Sequence, residues 1–364
     1  MSSKRTVSSK RTRRLWALAP VVALVTVGAS ACSSSSSPSS SSAATASSPA
    51  SSGASSAGSS SAAASPSASS AKHYTIAYVP GATGVAFYDT LLAGMKAKAA
   101  ALGMSVTYQG SPNFAPAAQT PIVDAICTEH PSALIVSPTD PVAMAPAINT
   151  CLNDGIPVIT VDTGLSNTSQ LTSAITTDND SGGKDAADFV GKALGGKGEV
   201  ALLSLSPTAT TQVERIASFE KEIKAAYPGI TVLPVQYTAQ ATSDSETVAR
   251  SILAAHPGVK AFFGSAEPNA EGVAAALKAL GESGKVINVG FDASPTEVGL
   301  LKSGGIQATI AQPAAEEGAD AAQFAYDKIT GATSGITASV QLPDVLITAA
   351  DASQSAYTKY FYIP

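Results

Sequence analysis

The sequence predicts an α/β protein of two lobes, each built on a doubly wound parallel sheet, and three observations carry that prediction. Residues 74–103 read as strand, Gly-punctuated loop and helix in direct succession. Ile76, Tyr78 and Val79 sit in a short apolar run closed by Pro80 and Gly81, and Phe87, Leu91, Met95, Ala99 and Leu102 then recur at helical spacing. Strand and helix keep alternating along the chain, and strands such as ALIV and PVITV show no period-two alternation and are apolar but for Thr160, as when helices cover both faces of a sheet. The 292 residues from 73 to 364 exceed one small core and suit two lobes, and the alternation starts afresh after residue 177.

The segment before residue 73 reads differently. Lys4, Arg5, Lys10, Arg11, Arg13 and Arg14 precede an apolar stretch over 15–27 and the small residues Ala29, Ser30 and Ala31 ahead of Cys32. That is the pattern of an export signal, and the cysteine points to a lipoprotein signal over 1–32 with lipidation at Cys32. A lipobox usually carries a larger aliphatic residue where this chain has Ala29. An uncleaved membrane anchor is the alternative, although the apolar stretch is shorter than the roughly 20 residues a span needs. Thr12-Arg13-Arg14 also resembles a twin-arginine signal, with Trp16 and Ala17 in place of its usual Phe and Leu, so the export route stays open. Residues 33–72 are almost entirely Ser, Ala, Pro and Gly up to Lys72, too apolar-poor to offset chain entropy, and read as a disordered tether with an ideal-coil reach of about 35 Å. Its dense serine also admits O-glycosylation.

Six of the 22 Lys and Arg lie before Leu15, which leaves 16 against 27 Asp and Glu and a formal charge of −11 on everything after them. No basic run or aromatic-basic interleaving remains, which argues against a nucleic-acid partner. Cys127 and Cys151 are the two cysteines beyond the signal, on neighbouring predicted helices. In an exported protein an even pair favours a disulfide over two buried thiols. A metal site is not expected, because His73, His130 and His256 are not grouped with the cysteines at ligand spacing.

In chain order, further strands read at 104–108, 133–136 and 157–161, with helices over 117–127 and 141–152. Asp162 therefore falls at a strand's carboxyl edge, where open parallel sheets place their ligands. A strand over 171–176 leads to TTDNDSGG and a helix over 182–194; Asp178 and Asp180 read as helix caps rather than a cation loop. Strands follow at 199–205, 231–237, 261–264 and 286–291, and helices begin near Thr211, Ser243, Asn269 and Pro295. Strand 308–311, helix 314–329 and a last strand over 340–347 complete the series, with Phe262 and Phe263 assigned to the core.

Laid side by side, the segments GVAFYDTLLAGMKAKAAALG, PVITVD, TTDNDSGG, VGFDASP and ATIAQP resemble the type I periplasmic-binding family, above all its ribose-binding branch, over residues 73–347. The resemblance implies two lobes joined by a three-stranded hinge: 73–176 plus 313–341, and 177–312 plus 342–364. It also implies a set of ligand contacts. Phe87 corresponds to an aromatic that packs on a sugar ring, whose C–H side suits an apolar face. Asp162 and Asp292 match carboxylates that accept from hydroxyls, Arg215 a guanidinium that donates to them, and Gln312 an amide that does both. Tyr88, Thr163, Gln212 and Glu267 are further candidates. Each has a plainer reading: Phe87 as part of its helix's core stripe, the two Asp as turn or cap residues, Arg215 as a surface ion-pair partner.

The departures bear on the ligand. Ribose binders carry polar residues where this chain has Val85, Thr163 and Ala266, so ribose itself is doubtful. IAYVPGATGVAFY, VTYQG, SPTATTQ and the aromatic end near Tyr360 also resemble the furanosyl quorum-signal receptor and rhamnose-type binders. That branch's loop Lys is Gly81 here and its second-lobe Asp is Thr211, while Gln212 matches.

The expected protein is an extracytoplasmic receptor, monomeric and anchored through Cys32 to the outer face of the cell membrane. It captures a small polyhydroxylated ligand between its lobes and delivers it to the membrane permease of an ABC importer. A sensory ligand-binding protein without a transport role is the alternative. A repressor on the same fold needs an N-terminal helix-turn-helix where this chain has an export signal. No GxSxG elbow, HExxH helix or P-loop is present, so neither catalysis nor a cofactor is expected. Asp162 and Arg215, placed on an open cleft, should matter more to binding than to the stability of the ligand-free fold.

Overall fold

The structure, a computed structural model, describes residues 73–363; the export signal, Cys32 and the tether lie outside the described residues. The first lobe opens with β1 (Tyr74–Val79), α1 (Ala86–Ala101), β2 (Met104–Tyr108), α2 (Pro116–Thr128), β3 (Ala133–Val136), α3 (Ala145–Asn153), β4 (Val158–Val161) and β5 (Ser173–Thr177). The chain then enters the second lobe through α4 (Asn179–Ala193) and β6 (Lys197–Ser204). It continues with α5 (Thr210–Ala226), β7 (Gly229–Val232), β8 (Gln236–Tyr237), α6 (Thr242–Ala255), β9 (Val259–Gly264), α7 (Glu267–Leu280), β10 (Ile287–Phe291), α8 (Pro295–Ser303) and β11 (Ala308–Ala311). Helix α9 (Ala314–Thr330) and β12 (Ser339–Leu342) return to the first lobe, and β13 (Val345–Thr348) goes back to the second.

The first sheet has the order β12-β5-β4-β3-β1-β2 and is parallel throughout. The second has the order β13-β11-β10-β9-β6-β7, with β8 also on β6, and its edge strand β13 runs antiparallel to β11. Each sheet carries apolar clusters on both faces. One face of the first holds Leu91, Met95 and Ala322 from α1 and α9, and the other Val123, Cys127, Ile148 and Cys151 from α2 and α3. The second is covered by Val190, Ile216 and Phe219 on one side and by Val273 and Leu277 on the other. Helices α1 and α9 lie against each other at small residues: a β-carbon on Gly94 would collide with the Ala315 carbonyl, and one on Gly318 with that of Leu91. Phe262 and Phe263 are core, the latter stacked on Phe219 with ring centroids 4.8 Å apart.

Cys127 and Cys151 form a disulfide that ties α2 to α3, with Cα atoms 4.9 Å apart. Four elements depart from the sequence reading. The helix expected from 141 begins at Ala145, because the Asp140 carboxylate accepts from the amides of Val142 and Ala143 at 2.9 and 2.8 Å and holds those residues in turns. Helix α4 starts three residues before the predicted 182, capped by Asp178, whose side chain accepts from Ser181 N at 3.1 Å. The strand expected over 231–237 is two, β7 and β8, parted around Pro234, which has no amide to give a ladder. The last strand, expected over 340–347, is likewise two, divided at Pro343 and paired in different sheets.

Candidate functional site

Loops at the carboxyl ends of strands from both sheets meet around one cavity. All nine residues singled out as ligand contacts line it: Phe87, Tyr88, Asp162 and Thr163 from the first lobe, Gln212, Arg215, Glu267 and Asp292 from the second, and Gln312 where the chain crosses back. Val85, Thr211 and Ala266, the positions that depart from the resembling branches, line it too. A side chain on Gly81 would run into the Tyr88 hydroxyl and the Phe114 ring, so Phe114 fills the space that a longer residue there would need.

The two Asp residues are built alike. Asp162 follows β4 with φ of 62°, and Asp292 follows β10 with φ of 101°, both in the left-handed region that costs an ordinary residue energy and that Asp tolerates better than most. Non-glycine residues held so are concentrated at functional sites. In each case a threonine on the next strand pins the carbonyl: Thr176 Oγ1 donates to Asp162 O at 2.7 Å, and Thr309 Oγ1 to Asp292 O at 2.6 Å. Behind Asp162, its backbone amide donates to Glu317 Oε1 on α9. Burial, reinforced by the Asp162 charge, pushes the Glu317 carboxyl well above the usual range.

The side chains are held differently. Asp162 Oδ2 accepts from the Tyr88 hydroxyl at 2.8 Å. Burial raises the Asp162 pKa to about 6, against the opposing pull of Arg215 and of the Tyr88 hydrogen bond. Asp292 accepts from three donors: Gln312 Nε2 at 2.6 Å and the Tyr362 hydroxyl at 2.9 Å on Oδ1, and Glu267 N at 3.0 Å on Oδ2.

Arg215 lies deeper than the sequence reading placed it. It is 2% exposed and lies over the Phe291 ring, 3.6 Å from the centroid. Its Nε donates to Asn179 Oδ1 at 2.7 Å, and its two Nη atoms to Ser265 O and Gln312 Oε1 at 2.9 Å each. It is not a surface ion-pair partner. The open-cleft position from which its loss was expected to spare the ligand-free fold is not the one observed: Arg215 is buried, and its loss would leave Asn179 Oδ1 without a donor and take one from Ser265 O and Gln312 Oε1. Gln312 is fixed as well, its Oε1 also accepting from Thr177 Oγ1 at 2.9 Å. Gln212 Oε1 accepts from the hydroxyls of Ser265 and Ser204 at 2.5 and 3.2 Å.

Against this saturated frame, three buried polar atoms of cavity residues have no protein partner: Thr163 Oγ1, Glu267 Oε2 and Gln240 Oε1. Burial first, then the charges of Asp292 and Glu271, raises the Glu267 pKa to about 8. Phe87 packs into the first-lobe core while lining the cavity, its ring 5.2 Å from that of Tyr88 in an edge-to-face contact. Sequence reasoning missed Phe114 and Gln240, in loops after β2 and β8, and the supporting residues Asn179, Ser265, Glu317 and Tyr362. The two loop residues follow strands at carboxyl ends, the one sequence signal that could have found them. Among the described residues, no group of three or more His, Cys, Asp or Glu could hold a metal ion.

A two-lobed α/β protein whose strand-end side chains converge from both sheets on one cavity belongs, by that design, to the ligand-capturing class of such folds. The family model described as periplasmic binding protein domain matches residues 76–333, and the chain belongs to that family. The ribose import binding protein of Salmonella typhimurium is 32% identical over 258 residues, covering 70% of this chain and 84% of the relative. Among solved structures, an ABC transporter solute-binding protein from Agrobacterium vitis bound with α-D-tagatopyranose is 32% identical, with a TM-score of 0.77 over 80% of this chain and 100% of that one. A carbohydrate transporter solute-binding protein from Agrobacterium radiobacter in complex with D-arabinose is 26% identical, with a TM-score of 0.76 and the same coverage.

Proposed function

We propose that this protein is an extracytoplasmic receptor that captures a small sugar or sugar-like polyol between its lobes and delivers it to the permease of an ABC importer. One observation carries the reading: the cavity joins an aromatic face, Phe87, to carboxylates from both lobes, Asp162 and Asp292, around buried polar atoms that lack protein partners. Hydroxyl-rich ligands supply both donors and acceptors to such a set. The names and bound sugars of the relatives point the same way. In this reading the nine cavity residues are the ligand contacts and the lobes comprise 73–176 plus 313–341 and 177–312 plus 342–364. The protein is a monomer carried on a flexible tether from a lipid anchor at Cys32, and it binds without catalysis. Val85 and Ala266 make the wall less polar than in ribose binders, which favours a sugar other than ribose.

The test is thermal unfolding of the protein with D-ribose, D-arabinose, D-allose and D-tagatose in turn. A sugar at 100 times its dissociation constant adds about 2.7 kcal/mol to stability, and Asp162→Ala, binding at least about tenfold more weakly, should cut that gain to about half or less. No shift with any sugar, or an undiminished shift in Asp162→Ala, overturns the reading of this cavity.

A further inference from the structure

The C-terminal segment leaves β13 on the second lobe, yet its last described residues reach the first. Tyr362 N donates to Ala293 O at 3.0 Å and its hydroxyl to Asp292 Oδ1 at 2.9 Å, both second-lobe partners. The ring itself lies in the first-lobe core, edge to face with Phe87, with centroids 5.7 Å apart and planes at 68°. One residue further, Ile363 N donates to Thr90 Oγ1 on α1 at 2.9 Å. Tyr362 is 4% exposed and does not line the cavity. A single buried side chain thus touches two cavity residues, one from each lobe.

The two contacts do different work. The phenol is one of two donors on Asp292 Oδ1, and a hydrogen bond to an ionised acceptor is among the stronger kinds. Burial and the neighbouring Asp292 charge raise its ionisation well above the usual range, so it remains a donor. The ring packs edge to face on Phe87, which makes a second such contact with Tyr88. Moving the lobes apart must break either the hydroxyl contact or the ring contact, unless the C-terminal strap moves with both.

We infer that Tyr362 is a positioning residue of the binding site: it holds the Asp292 carboxylate and the Phe87 ring in fixed relation across the lobes, so that the C-terminal strap sets the geometry of the cleft. What the cleft binds rests on the sugar-receptor reading; the link between lobes does not.

Two variants of the full-length chain separate the contacts, Tyr362→Phe removing the hydroxyl and Tyr362→Leu both hydroxyl and ring. Without sugar, amide exchange in α1 around Thr90 and in the last turn of the chain should be at least about tenfold faster in Tyr362→Leu than in wild type. With D-ribose, D-arabinose, D-allose and D-tagatose as calorimetric probes, any sugar bound by wild type should bind about tenfold more weakly to Tyr362→Phe, and more weakly still to Tyr362→Leu. A residue that merely filled the core would lower the melting temperature and leave affinity alone. Wild-type affinity in Tyr362→Phe overturns the positioning role, and this arm stands by itself should Tyr362→Leu not fold. If wild type binds none of the four sugars, the sugar reading fails, and the sugar-free exchange of Tyr362→Leu still decides the link, unchanged exchange overturning it.

Discussion

Asp162 and Asp292 occupy matching places in the two lobes, each just past a strand, each with positive φ, each with its carbonyl pinned by a threonine of the next strand. Their side chains are nonetheless wired unequally: one donor reaches Asp162, whereas three reach Asp292. An ionised carboxylate has about four acceptor sites, so Asp162 keeps most of its capacity for a ligand while Asp292 has committed most of its own to the protein. Around Asp292, Arg215 and its partners form a finished network, whereas Asp162 is met only by Tyr88. The unpartnered cavity atoms lie outside that network in both lobes, Thr163 Oγ1 in the first and Glu267 Oε2 and Gln240 Oε1 in the second. The comparison teaches that the Asp292–Arg215 cluster is a rigid half of the site and the Asp162 side a half completed by what it binds.

The largest expected effect comes from breaking the rigid half. Arg215→Ala takes a charged donor from Asn179 Oδ1, Ser265 O and Gln312 Oε1, leaves the first without one, and removes the cation over Phe291; Ser265 O keeps Gln212 Nε2 and Gln312 Oε1 keeps Thr177 Oγ1. Hydrogen bonds to a charged group contribute about 1.5–3 kcal/mol each, so the loss of three should lower ligand-free stability by at least about 3 kcal/mol in denaturant titration, along with affinity. A fall of less than about 1 kcal/mol, the order of the extrapolation error, would mean the network is loose.

A comparable effect is expected in the first lobe, from a feature remote from the cavity. The Cys127–Cys151 disulfide closes a loop on the outer face of that lobe. Its removal as the double Ser variant should cost about 3 kcal/mol of stability in the chain-entropy model and leave sugar affinity unchanged. Lost affinity would tie the outer layer of the first lobe to the site and weaken the contrast drawn between the half-sites.

How much of this is legible in the sequence follows from what each residue depends on. Strand and helix periodicity, and the turn after each strand, are local, which is why they suffice to place Asp162, Asp292 and Phe87 at one cleft. Pro234 and Pro343 are local too, but their effect is masked because the flanking residues are strand-like on both sides. Tyr362 and Glu317 are beyond reach for another reason. Their roles come from contacts with Phe87 and Asp162, 275 and 155 positions away in a chain of 364 residues, and no spacing rule reports such a pairing. The sequence points to Arg215 but not to its depth, since burial is set by Asn179, Ser265 and Phe291 on three other elements.

A smaller effect should appear with pH. The Glu267 pKa is raised from 4.5 to about 8, so the folded state holds this proton more tightly than the unfolded chain does. The sign follows: ligand-free stability should fall as pH rises from about 4.5 through 8, where the unfolded chain gives up its proton first. Asp162, raised from 3.8 to about 6, adds the same sign over the lower part of that window. Glu267→Gln should reduce the slope over the whole interval between about pH 4.5 and 8, leaving what Asp162, Asp344 (raised to about 7) and the buried Glu297 and Glu317 contribute with the same sign. A slope untouched by that change would place the Glu267 carboxyl in water rather than against the cavity.

The most direct measurement sets Asp162→Asn beside Asp292→Asn at pH 7.5, each tested for ligand-free melting temperature and for affinity toward the best sugar of the thermal panel. An Asn at 162 can turn its single oxygen to the Tyr88 hydroxyl and loses only acceptor capacity and a charge that burial disfavours. An Asn at 292 must present its amide to a donor, because Oδ1 and Oδ2 both accept from the protein. Asp162→Asn is therefore expected to keep or raise the melting temperature while weakening binding about tenfold, and Asp292→Asn to lower both. The reverse pattern, or equal destabilisation by the two, would contradict the division into a finished half-site and one completed by the ligand.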